Sequence, residues 1–131
     1  MMPQKSIRAL FYVAFIYDAV LGLGFLLFQH RVFEWAAVPP PNHPGYIQFP
    51  ALLLIAFGLL YLAVARNPVA NRNLIPYGIM LKVAYCGVVF WHWFSTGLPD
   101  IWKPWAIADL VFLVLFWWAY RELGKPAAQP T

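Results

Sequence analysis

Four apolar stretches, each close to the length that crosses a bilayer, constrain this chain more than anything else in its sequence. They run over about residues 7–28, 47–65, 74–94 and 104–120. A helix needs about 20 mostly apolar residues to cross the hydrocarbon. In lipid, only helices and closed barrels pair all their backbone groups. The stretches are continuous rather than alternating, which selects helices. The expected fold is all-α: an integral membrane four-helix bundle forming a single four-span unit over 1–131. Composition agrees, with 63% apolar and 11% charged residues in 131. A soluble particle this small cannot bury so much apolar surface.

The breaks between spans are polar or rich in proline. Residues 29–46 include Pro39, Pro40, Pro41 and Pro44, which exclude regular helix throughout. The stretch HRVFEWAAV, residues 30–38, has the aromatic and apolar content of a segment lying on the membrane surface, so this outer loop is expected to be partly interfacial. Asn73 and Asp100 are candidate N-caps of the third and fourth spans, with Pro76 and Pro104 near the helix starts. The first span carries Asp18 in mid-run and lacks a small-x-small cleavage site directly after it, so it reads as a retained span rather than a signal peptide.

Basic residues give the expected orientation. Lys5, Arg8, Arg66, Arg72, Arg121 and Lys125 lie on one side, and only Arg31 and Lys103 on the other. That asymmetry puts both termini in the cytoplasm. Trp35, Trp91, Trp93, Trp102 and Trp105 would form an outer belt, and Trp117, Trp118 and Tyr120 an inner one. The net charge of +4 comes from scattered helix-end residues. It suits anionic lipid and gives no sign of nucleic-acid binding.

Three ionisable residues fall inside the spans. Asp18 is 11 residues past Ile7, Lys82 is 8 past Leu74, and Asp109 is 11 before Tyr120. At 1.5 Å per residue, all three lie roughly 12–17 Å from the inner boundary, near the midplane. Lone charges there cost several kcal/mol, so an Asp18–Lys82–Asp109 cluster inside the bundle is expected. Asp18 shares a stripe with Ala14 and Gly22, and Lys82 with Gly78 and Cys86, while Ala51, Gly58 and Ala65 repeat every seven residues. Small residues at these spacings permit close helix contact. Tyr17, Tyr61 and Tyr85 are candidate hydrogen-bond partners of the cluster, and Lys82, Tyr85 and His92 share a face that could extend a polar track outward. Such a cluster could simply fix packing, or Lys82 could snorkel and pair with neither acid. Alternatively, two carboxylates facing one ammonium leave a surplus acid able to hold a proton.

Other motifs are sparse. His30 and His92 sit near outer helix ends, where two histidines could ligate haem, but the residue types alone are too unspecific to indicate it. His43 reads as a loop residue. The single Cys86 excludes an internal disulfide and reads as a packing residue. No phosphate loop or nucleophile–base motif is present, so no catalytic residue, metal or cofactor is assigned.

The stretch GLLYLAVARNPVANR, residues 58–72, with the long outer loop before it and the four-span plan, resembles the DoxX-like group of small bacterial membrane proteins. The resemblance implies a four-helix inner-membrane protein. Some members accompany quinone-linked or sulfur-redox enzymes. It carries over no catalytic residue. The expectation is a non-enzymatic inner-membrane protein, either an accessory subunit of another membrane protein or a binder of a quinone-like apolar ligand. The alternatives are a proton-coupled transporter or channel acting as a homo-oligomer, and, further off, a lipid- or quinone-linked enzyme.

Overall fold

The computed structural model describes residues 4–125, and the ends of the expected 1–131 unit, residues 1–3 and 126–131, lie outside them. Among the described residues there are four α-helices: α1 (Gln4–Ala36), α2 (Gly45–Arg66), α3 (Ile75–Trp93) and α4 (Lys103–Leu123). Each, with its flanking turn where one is present, is long and apolar enough to cross a membrane. The chain has the architecture of an integral membrane protein. Large side chains such as Val13, Val20, Met80, Val88 and Val114 lie on the outside of the bundle, where hydrocarbon replaces water as solvent.

Buried positions follow the helical repeat. On α1 they are Ile7, Phe11, Ala14, Asp18, Gly22, Phe25, Gln29 and Phe33, spaced three or four apart. On α3 they are Ile75, Gly78, Lys82, Cys86 and Val89. The helices associate chiefly as two pairs, α1 with α2 and α3 with α4. Small residues set the first pairing: a Cβ added at Gly22 would lie 2.6 Å from the Ala51 carbonyl oxygen, and one at Gly58 would lie 3.3 Å from that of Phe15. Hydrogen bonds tie the second pair together near the cluster, where the Cys86 thiol donates to the Ala106 carbonyl at 3.4 Å.

Several helix ends differ from expectation. Helix α1 runs through residues 29–36 after a kink at Phe28, where φ is −130° and ψ is 25°. The proline-bearing connection is therefore only 37–44. The extra turns keep their apolar stripe, because Phe33 packs on Phe25 and Trp102 at ring distances of 6.4 and 6.1 Å. Asn73 does not cap α3, nor does Asp100 cap α4. A 3-10 turn precedes each helix, so Leu74 and Trp102 take the cap positions without side-chain bonds. Asn71 and Asn67 serve the turn instead: Asn71 donates to the Ala63 carbonyl at 2.9 Å, and the Asn67 side chain accepts from the Ala70 amide at 3.2 Å. Asp100 pairs with Lys103. Pro76 and Pro104 do occupy the first turns of α3 and α4, where the missing N–H is harmless.

At the end of the bundle that carries residues 4 and 125, the interior is solid. Phe11 stacks on Phe116 at 4.6 Å, and Tyr61 packs on Phe116 at 5.0 Å. Ile7, Val64, Ala65, Ile75 and Ala119 fill the remaining space. Arg72 closes this end by donating to the Tyr120 carbonyl at 2.9 Å and lying 3.8 Å over the Tyr120 ring.

A Cβ at Gly78 would meet Tyr61 Cε1 at 2.6 Å. Overpacking of this kind typically costs about 1–3 kcal/mol. Gly78→Val is expected to lower the thermal unfolding temperature of the solubilised protein, whereas Gly87→Ala, with open space around it in mid-helix, should not lower it.

Candidate functional site

The three intramembrane charges meet. Lys82 Nζ donates to Asp18 Oδ1 and to Asp109 Oδ1, each at 2.9 Å. Asp18 and Lys82 are fully buried and Asp109 is 7% exposed, so the ion contacts lie in the interior of the bundle. Their positions follow from the stripes described above. Each lies at the small-residue or apolar face of its helix, and the three helices present those faces at the same depth. Charge-assisted bonds of this length are strong, and in hydrocarbon they replace hydration that is absent.

The tyrosines act differently from expectation. Tyr17, Tyr61 and Phe112 turn their ring faces to the ammonium, with centroids 5.6, 5.5 and 5.3 Å from Lys82 Nζ. These are cation–π distances. The hydroxyls do not reach the cluster. Tyr61 donates to the Gly78 carbonyl at 3.5 Å, and Tyr85 to that of Trp102 at 2.9 Å. The Tyr17 hydroxyl has no partner. A ring placed at helical spacing from a charge can present either its face or its hydroxyl, and only the packing angle decides which.

His92 does not extend a polar track. It is exposed, and its Nδ1 lies 3.1 Å from the Thr96 hydroxyl. His30 is also exposed. The His43 ring accepts from the Gly45 amide at 2.9 Å, which makes it a local turn residue. No group of three His, Cys, Asp or Glu converges as a metal site among the described residues.

A cavity of about 180 Å³ lies against the cluster on the side away from the solid core. Its wall includes Asp18 and Asp109, together with Phe25, Leu54, Tyr85, Trp102 and Trp105. Lys82 is not part of that wall. Phe25 and Trp102 stack at 5.8 Å, and Phe33 packs on both, so an aromatic group roofs the cavity. Two buried polar atoms on lining residues have no partner: Asp18 Oδ2 and Trp105 Nε1. Buried polar groups are nearly always paired, and an orphan at a cavity is where a ligand or water would bind. Sequence reading missed the cavity. It assigned Trp102 and Trp105 to an interfacial belt, yet both are half-buried and turned inward. Trp35 and Trp91 do remain outside.

Comparison with known proteins finds no matching family model, no matching curated protein and no matching solved structure. The functional reading therefore rests on this chain's own geometry.

Removing one member of a buried ion cluster strands the others, typically at a cost of about 3–5 kcal/mol. Lys82→Met should sharply reduce accumulation in the membrane and lower the unfolding temperature. Adding Asp18→Asn and Asp109→Asn to that variant should restore much of the loss. Equal instability of the single and triple variants would show that the ammonium does more than neutralise its two neighbours.

Proposed function

We propose that this protein is a non-enzymatic membrane protein that binds a small, largely apolar ligand within its helix bundle. The observation that supports this reading is the cavity whose wall combines aromatic and aliphatic side chains with two carboxylates and an unpartnered indole N–H. Binding sites for small molecules have this makeup, an apolar lining with a few placed polar groups. The ion cluster gives such a site a rigid polar floor, and the exposed flank at Pro50 and Leu53 of α2 offers a route from the lipid. The ligand would be one that partitions into the bilayer, such as a quinone-like or other lipid-soluble molecule. A membrane enzyme or transporter that handles the same molecule is the partner this reading proposes. On this reading the chain lies in a bacterial inner membrane with its termini in the cytoplasm, as the basic residues and the likeness to the DoxX-like group suggest.

A second reading, a proton-coupled transporter working as a homo-oligomer, draws on the same surplus of one carboxylate over the single ammonium. It requires proton-linked flux in vesicles that Asp109→Asn abolishes while the protein still folds.

Native mass spectrometry after gentle extraction tests the ligand reading directly. A stoichiometric small mass should accompany the chain, and Leu54→Trp, which fills the cavity, should remove it. A bare wild-type chain, monomer or oligomer, would count against it. Orientation has its own test. A fluorescent protein that matures only in the cytoplasm, fused after Thr131, should be bright; a dark fusion whose periplasmic counterpart is active would reverse the topology.

A further inference from the structure

The cavity sees the cluster from one side only. Asp18 and Asp109 line it, while Lys82 lies behind them against the rings of Tyr17, Tyr61 and Phe112. Each carboxylate gives only its Oδ1 to the ammonium. Asp18 Oδ2 is fully buried and unpartnered. The Asp109 side chain keeps 10% of its surface exposed, the most of the three. Formal charge is uneven as well: two carboxylates and one ammonium sum to −1. The surplus is therefore negative and on the cavity side. The remaining wall includes the aromatic residues Phe25, Tyr85, Trp102 and Trp105, a residue class that accommodates cations.

We propose that the ligand is a lipid-soluble monocation, an amine or related nitrogen cation on an apolar body, whose charged head lies against Asp18 and Asp109. This inference rests on the ligand-binding reading and specifies its chemistry. A head with an N–H would supply the missing donor to Asp18 Oδ2. It would complete an alternating set of two cations and two carboxylates with no net charge, the state that hydrocarbon tolerates best. The apolar body would occupy the space beneath the Phe25–Trp102–Phe33 roof. With a neutral ligand, which could donate one hydrogen bond, the surplus carboxyl would have to take up a proton to leave the site uncharged.

The test compares two probes of the same shape, 4-phenylbutylamine and 4-phenylbutanol, on the full chain in nanodiscs of neutral lipid. Binding is read from quenching or shift of tryptophan fluorescence, since Trp102 and Trp105 line the cavity, and is corrected for partition with empty nanodiscs. The amine should bind about tenfold or more tighter than the alcohol, the size expected for a charge-assisted bond over a neutral one. Asp109→Asn, which removes the surplus charge but keeps the Lys82–Asp18 pair, should abolish that preference. Leu54→Trp should remove binding of both probes. Equal affinity for amine and alcohol would overturn the cation and leave the apolar-ligand reading standing. Saturable binding of neither probe would count against both. A preference that survives in Asp109→Asn would place the cation elsewhere and overturn the proposal.

Discussion

An ammonium group in hydrocarbon has no water to solvate it, and the bundle is arranged around meeting that need. Lys82 reaches two carboxylates on two other helices, and three aromatic rings surround it. Because the charges come from α1, α3 and α4, the ion contacts lock together the α1–α2 and α3–α4 pairs, which otherwise touch less extensively. The hydrophobic effect cannot hold transmembrane helices together, since lipid tails are as apolar as the side chains. Close packing and polar contacts must do it, and here each has its own place. Gly22 and Gly58 allow α1 and α2 to approach, and the ion cluster joins the pairs.

The cluster also divides the bundle into two unlike halves. Toward residues 4 and 125, Phe11, Tyr61 and Phe116 fill the interior. Toward the opposite end, the same four helices enclose a cavity roofed by Phe25, Phe33 and Trp102. The kink at Phe28 contributes to that roof, because it lets α1 continue while Phe33 stays over Trp102. Tyr85 holds Trp102 from below through its backbone carbonyl. A packed half and a hollow half thus lie on either side of the charged cluster.

Much of this was readable from the residues. The four spans, the midplane depth of Asp18, Lys82 and Asp109, and the small-residue seams all follow from length, hydropathy and a rise of 1.5 Å per residue. Those quantities depend on position along a helix, which a sequence states directly. Asn73 and Asp100 do not cap their helices because short 3-10 turns shift the cap positions to Leu74 and Trp102. The tyrosines and two of the tryptophans depart from expectation through helix rotation rather than helix length. Tyr17 and Tyr61 offer rings rather than hydroxyls to Lys82, and Trp102 and Trp105 face inward rather than toward the lipid interface.

The sequence by itself determined four helices of membrane-spanning length and three charges at a shared depth within them, where pairing is expected because an unpaired charge in hydrocarbon is costly; that Lys82 meets both acids is seen only in the folded bundle. The tertiary structure alone decided that the carboxylates face a cavity while the ammonium faces aromatic rings. That arrangement depends on rotation of each helix about its axis and on how tightly its neighbours fit. Both come from side-chain shapes acting across helices distant in the chain, which no local pattern records.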